Sequence, residues 1–151
     1  NDLIGRKIAR ESGQTVKGVI AEMRQVEAAL AAAAGDDFAA IRKSLSSGVT
    51  ALEEAVEYIV ATYGQDIKAA SVGSVPFLKL LGVVAGGWQM GRAALVSAQR
   101  LAEGSGDAGF YQAKITTARF YADHVLSQAP GLAYSVVNGA SAALALPEEM
   151  F

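Results

Sequence analysis

Along nearly the whole chain apolar residues return every three or four positions, and nowhere do β-branched residues alternate with polar ones between turn signals. That period belongs to helices and not to strands, so an all-α fold is expected. Only three prolines interrupt the 151 residues. A chain of this length hides about 70% of the surface its unfolded form would expose, enough for one hydrophobic core.

The pattern divides into segments. After Ser12-Gly13, the residues Val16, Val19 or Ile20, Met23, Val26 and Leu30 share one stripe that closes in an alanine run and Gly35. Asp36-Asp37 then supplies a cap and negative charge for a second helix, in which Phe38, Ile41, Leu45, Val49, Leu52, Val56, Ile59 and Tyr63 recur until Gly64. The link between these helices is short, so they are expected to pair as an antiparallel hairpin. The stretch 65–75 mixes Gly, Ser and small residues before Pro76 and reads as a flexible connection. From Phe77, the positions Leu78, Leu81, Val84 or Ala85, Trp88, Leu95 and Leu101 predict a third helix ending near Glu103-Gly104. Asp107 caps a fourth, carrying Phe110, Ile115, Thr117, Phe120, Tyr121, Val125 and Leu126, which Pro130-Gly131 breaks before an Ala-rich segment from Leu132 to Leu146. The expected fold is an antiparallel four-helix bundle of up-and-down hairpins with short extra helices at the ends.

Composition narrows the function. Lys and Arg total 13 against 15 Asp and Glu with the signs interspersed, so no basic stripe is laid out for a nucleic-acid backbone. Apolar runs fall short of the roughly 20 residues that span a bilayer. No Cys is present, which removes disulfides and thiolate chemistry and fits a cytoplasmic location. The start, Asn1-Asp2-Leu3-Ile4-Gly5-Arg6-Lys7, lacks a secretory core and a Met, so the chain is expected to be a fragment of something longer.

Few residues invite a chemical reading. Gly82, Gly86, Gly87 and Gly91 lie in one predicted helix, where each costs about 1 kcal/mol relative to Ala, so a close neighbour should compensate. Their spacing stacks small surfaces that admit another helix or an aromatic ring; no strand precedes Gly86-Gly87-Trp88-Gln89-Met90-Gly91, which excludes a phosphate-binding loop. Trp88 reads as a core anchor with its indole N–H satisfied. His124 stands near Asp123 and Tyr121, but adjacent helix residues point about 100° apart, so Asp123 cannot orient it as a triad acid would. Glu53, Glu54 and Glu57 lack the paired histidines of helical carboxylate metal sites and read as a solvated face. Tyr111, Lys114, Arg119 and Arg92 could meet an anion, although surface helices carry such charges routinely. No catalytic, cofactor-binding or metal-binding residue is assigned.

The run Phe77-Leu78-Lys79-Leu80-Leu81-Gly82-Val83-Val84-Ala85-Gly86-Gly87-Trp88-Gln89-Met90, followed by Phe110-Tyr111-Gln112-Ala113-Lys114-Ile115-Thr116-Thr117-Ala118-Arg119-Phe120-Tyr121-Ala122, resembles the C-terminal domain appended to a bacterial subgroup of acyl-CoA dehydrogenases. The ending Ala143-Leu144-Ala145-Leu146-Pro147-Glu148-Glu149-Met150-Phe151 is similar to that domain's tail. One subgroup with this extension is similar to methylthiopropionyl-CoA dehydrogenases. Asp2-Leu3-Ile4-Gly5-Arg6-Lys7 also looks like the stretch that follows the family's catalytic glutamate, which the resemblance would place shortly before Asn1.

The resemblance implies an intact FAD enzyme that converts an acyl-CoA to an enoyl-CoA, with residues 1–11 ending its helical core or forming a linker and 12–151 forming the bundle. The bundle's implied role is docking on that core and subunit contact in a homo-oligomer, without binding FAD itself. A free-standing helical module that binds a partner or itself is the alternative.

Overall fold

A computed structural model describes residues 1–150, and every regular element among them is helical. Phe151, the last residue of the tail resemblance, lies outside the described residues. Seven α-helices follow in order: α1 Gln14–Ala32, α2 Asp36–Tyr63, α3 Ile67–Val72, α4 Ser74–Ala102, α5 Ala108–His124, α6 Ala129–Asn138 and α7 Ala140–Ala143. A π-helical turn, Leu3–Ile8, and a 3-10 turn, Ala9–Glu11, precede them.

The first two long helices match the sequence reading closely. The chain enters α1 through Ser12 and Gly13, both at positive φ (52° and 76°). Gly13 is buried, and a Cβ there would lie 3.2 Å from methyls of both Val56 and Val60, so glycine is required by conformation and by space alike. Along α1, Val16, Ile20, Met23 and Leu30 are buried, while α2 buries Phe38, Ile41, Leu45, Val49, Leu52, Val56 and Ile59. The caps differ from the reading: Ala33 is the C-cap of α1, Gly35 is the N-cap of α2, and Asp36 and Asp37 sit in the first turn of α2, where they make no cap hydrogen bond but the helix's positive end favours them.

The expected flexible connection over 65–75 is instead largely helical. Asp66 Oδ1 accepts a hydrogen bond from the Ala69 amide at 2.9 Å, capping α3, and Gly73 alone separates α3 from α4. Pro76 falls in the first turn of α4, where a missing amide proton leaves no bond unmade.

The cap of α5 is as read: Asp107 Oδ1 accepts from the amides of Gly109 and Phe110 at 2.9 and 3.2 Å. Its end is not. The helix stops at His124, a 3-10 turn spans Leu126–Gln128, and Pro130 opens α6 instead of breaking α5.

The buried face of α4 also differs from the expected stripe. Leu78 is 61% exposed, and Leu81, Ala85, Trp88, Leu95 and Leu101 are only partly covered. Val84 is buried as read, but Phe77, Leu80, Val83, Gly87, Gly91 and Ala94 turn inward with it in place of the other expected positions. In α5, Phe110 and Phe120 face outward, while Ile115, Ala118 and Ala122 fill the interior.

All these faces join one core. The helices α2 and α4 lie against each other, and each packs against α1, α5 and α6. Ile4 and Ile8 of the π-helical turn enter the same core.

Candidate functional site

The small residues of α4 are filled by the protein's own side chains. Tyr121 of α5 brings its hydroxyl end against Gly86, where a Cβ would sit 2.8 Å from its Cζ and closer still to its hydroxyl. That hydroxyl donates to the Val83 carbonyl at 2.9 Å, and burial pushes the phenol above its ordinary pKa. Leu126 enters between α2 and α4: its methyls are 2.6 and 3.0 Å from a Cβ built on Gly87, and one is 2.8 Å from a Cβ built on Gly48. Gly91 receives Leu30 and Val26 of α1 at 3.3 Å. An aromatic ring and two helices thus approach as the spacing implied, whereas Gly82 opens to solvent with nothing near. The partnership of Gly48, Gly87 and Leu126 was not read from the sequence, because the three are far apart along it and two have no side chain.

The candidate titratable groups do not converge. His124 is exposed and stacks on Phe120, with ring centroids 4.3 Å apart. Its neighbour Asp123 accepts from Arg119 Nε at 2.7 Å, and Arg119 also donates to Asp37 of α2 at 3.2 Å. Arg119 is therefore an inter-helix tie, and Asp123 is turned from the imidazole toward it.

Of the glutamates, Glu53 accepts from Arg24 Nη2 at 2.6 Å, joining α1 to α2, while Glu54 and Glu57 are exposed. Arg24 also donates to Glu27 at 2.7 Å and to Thr50 Oγ1 at 3.0 Å. Burial alone would raise the Glu27 carboxyl, but hydrogen bonds from Arg24 and Ser46 and the charges of Arg24 and Arg42 outweigh it and hold the pKa below its ordinary value. The solvated face of the sequence reading is in part an ion-pair seam.

Trp88 departs from its expected role. The residue is half-buried in a groove beside Gln25, Val26, Ala29 and Arg92, and its Nε1 is buried without a hydrogen-bond partner among the described residues. The Arg92 guanidinium lies 5.8 Å from its ring, within cation–π reach.

What the structure does assemble lies on the outside of α4 and α5. A shallow groove between the two helices is lined by Gln89, Arg92, Val96, Phe110, Tyr111 and Lys114. Of the four groups suggested for an anion, Arg92, Tyr111 and Lys114 share this groove and Arg119 does not. The Lys114 ammonium stands 5.2 Å over the Phe110 ring. Val96 and Phe110 of the groove are each more than half exposed, as are Leu78 and Phe120 further along the same two helices. The groove is open to solvent, with the Arg92 and Lys114 side chains exposed along it.

Comparison with known proteins gives this surface a context. A family model described as acetyl-CoA dehydrogenase C-terminal like matches residues 19–147. The 3-methylmercaptopropionyl-CoA dehydrogenase of Ruegeria pomeroyi is 42% identical over 126 residues, which cover 83% of this chain and 21% of that relative. The chain thus spans about a fifth of the length of the curated relative it matches. Both matches run through α4 and α5, whose residues carry the resemblance noted in the sequence. The chain belongs to the acetyl-CoA dehydrogenase C-terminal-like family, the helical C-terminal domain of acyl-CoA dehydrogenases.

Proposed function

We propose that this domain is the non-catalytic accessory bundle of an FAD-dependent acyl-CoA dehydrogenase, docking on the body of its own polypeptide and contributing to subunit contacts in a homo-oligomer. The observation that carries the reading is the 42% identity to a dehydrogenase of which the match covers only a fifth. Dehydrogenation of an acyl-CoA at its Cα–Cβ bond, with FAD as the cofactor, is assigned to the rest of the polypeptide. The glycine run of α4 offers no cradle for the FAD pyrophosphate: Gly86, Gly87 and Gly91 are filled by Tyr121, Leu126 and Leu30, and Gly82 stands alone. The core-forming contacts of α1, α2, α4 and α5 support two up-and-down hairpins, with residues 1–11 joining the bundle to what precedes it. No helix among the described residues is long and apolar enough to cross a membrane, which agrees with a cytoplasmic enzyme.

The test is to purify the polypeptide encoded by the whole reading frame containing this sequence and record its visible spectrum before and after adding acyl-CoA thioesters, methylthiopropionyl-CoA among them. A flavin spectrum bleached by substrate is expected from the whole polypeptide, with no turnover from residues 1–151 alone. A whole polypeptide without flavin would overturn the assignment, and turnover by the isolated residues would overturn the non-catalytic role.

A further inference from the structure

Resting on that docking reading, we infer that the outer faces of α4 and α5 together form the surface that meets the dehydrogenase body. Helix α5 is apolar on two sides: Ile115, Ala118 and Ala122 face the core, while Phe110, Ala113 and Phe120 face solvent. The hydroxyls of Thr116 and Thr117 turn back to the carbonyls of Gln112 and Ala113, at 3.1 and 2.8 Å, which spends their polarity within the helix. Beside this face run Val75, Leu78, Gly82, Gln89 and Val96 of α4, all exposed and spaced as one strip. Among the described residues, half of the large apolar residues that stand exposed belong to these two helices: Val75, Leu78, Val96, Phe110 and Phe120. Large apolar side chains gathered outward on two adjacent helices, beyond the scattered single ones of an ordinary surface, mark an interaction surface.

Charge chooses the occupant. Helix α4 contains no carboxylate, and α5 contains only Asp123, which Arg119 holds. The cations Lys79, Arg92 and Lys114 stand exposed on the same two helices, while Arg100 is paired with Glu103. A second copy joined through this face by a two-fold axis would bring like charges together, which disfavours self-pairing. An apolar surface rimmed by carboxylates fits instead, and the relative's length outside the match, about four-fifths of it, supplies a body large enough to present one. The occupant is the dehydrogenase body of the same polypeptide, with acidic side chains placed opposite Arg92 and Lys114.

Photo-crosslinking in the full-length polypeptide tests this, with p-benzoylphenylalanine replacing Phe110 or Phe120 and, as a control, Lys43 on the exposed side of α2. Both Phe positions are surface aromatics, so the probe leaves the core intact. Crosslinks from 110 and 120 to the body, absent from 43, are expected, and Lys114→Glu with Arg92→Glu should diminish them. Crosslinks from 43 alone would overturn the choice of face while the docking reading stood. Crosslinks joining 110 or 120 to the same face of a second copy would overturn the choice of occupant. Absence of crosslinks from all three positions would overturn both the face and the docking reading.

Discussion

Replacing Gly87 with Ala should destabilise the protein, although Ala is the better helix former. The new methyl would stand 2.6 and 3.0 Å from the two methyls of Leu126, a side chain only 1% exposed. Leu126 cannot retreat, because Gly48 of α2 closes the far side, where even a Cβ would lie 2.8 Å from it. Overpacking of this kind costs about 1–3 kcal/mol, against a gain of up to about 1 kcal/mol from helix propensity, so a net loss of about 1–2 kcal/mol is expected. For a chain of this size that lowers Tm by about 2–4 °C per kcal/mol. Gly82→Ala in the same helix meets open space and should instead stabilise by about 0.4–1 kcal/mol. Leu126→Ala alone should cost about 2–5 kcal/mol. In the Gly87→Ala/Leu126→Ala double variant the added methyl occupies vacated volume, so the combined loss should fall short of the sum. Urea unfolding followed by far-UV circular dichroism measures all four. Gly87→Ala as stable as Gly82→Ala, or a double variant additive within about 0.5 kcal/mol, would show that Leu126 does not close this space.

Two further outcomes follow from neighbouring contacts. Gly86→Ala should lose about 1–3 kcal/mol through collision with the Tyr121 ring, and adding Tyr121→Phe should recover part of the loss in thermal denaturation by removing the hydroxyl nearest the new methyl; no recovery would show that the ring position, not the hydroxyl, sets the limit. The folded Glu27 carboxyl lies below its ordinary pKa, so its contribution is complete above that ordinary value and disappears as pH falls through the folded one. Stability measured across the acid range should therefore lose up to about 1 kcal/mol from this residue, and Glu27→Gln should flatten that part of the profile; an unchanged acid slope would refute the ion pair's role.

The parts legible in the sequence are those where side-chain size and burial agree. Helix α2 buries its large apolar residues, so its stripe announced its face, and Asp107 announced the start of α5 through a cap that requires no tertiary knowledge. Helix α4 was misphased because its inward side is built partly from Gly87, Gly91 and Ala94, which carry little apolar weight, while Leu78 and Val96 point outward. Pattern reading follows the larger side chains, and here some of them face away from the core. Helix α3 was hidden by its shortness. The early end of α5 was hidden because nothing local demands it: Val125 caps the helix, a 3-10 turn follows, and Leu126 fills the pocket left by two distant glycines. The outward aromatics Phe110 and Phe120 were visible as aromatics, but a helix with apolar residues on two sides gives no single direction for the core.

Leu126 belongs to a three-residue turn between two helices, the sort of place where a chain ordinarily frays or swings. Here the turn is anchored at the centre of the molecule, so α6 cannot pivot on α5 without vacating the space between α2 and α4. The junction opens only when the interior does, which makes a short irregular link part of the domain's cooperative unit and denies it the role of a hinge.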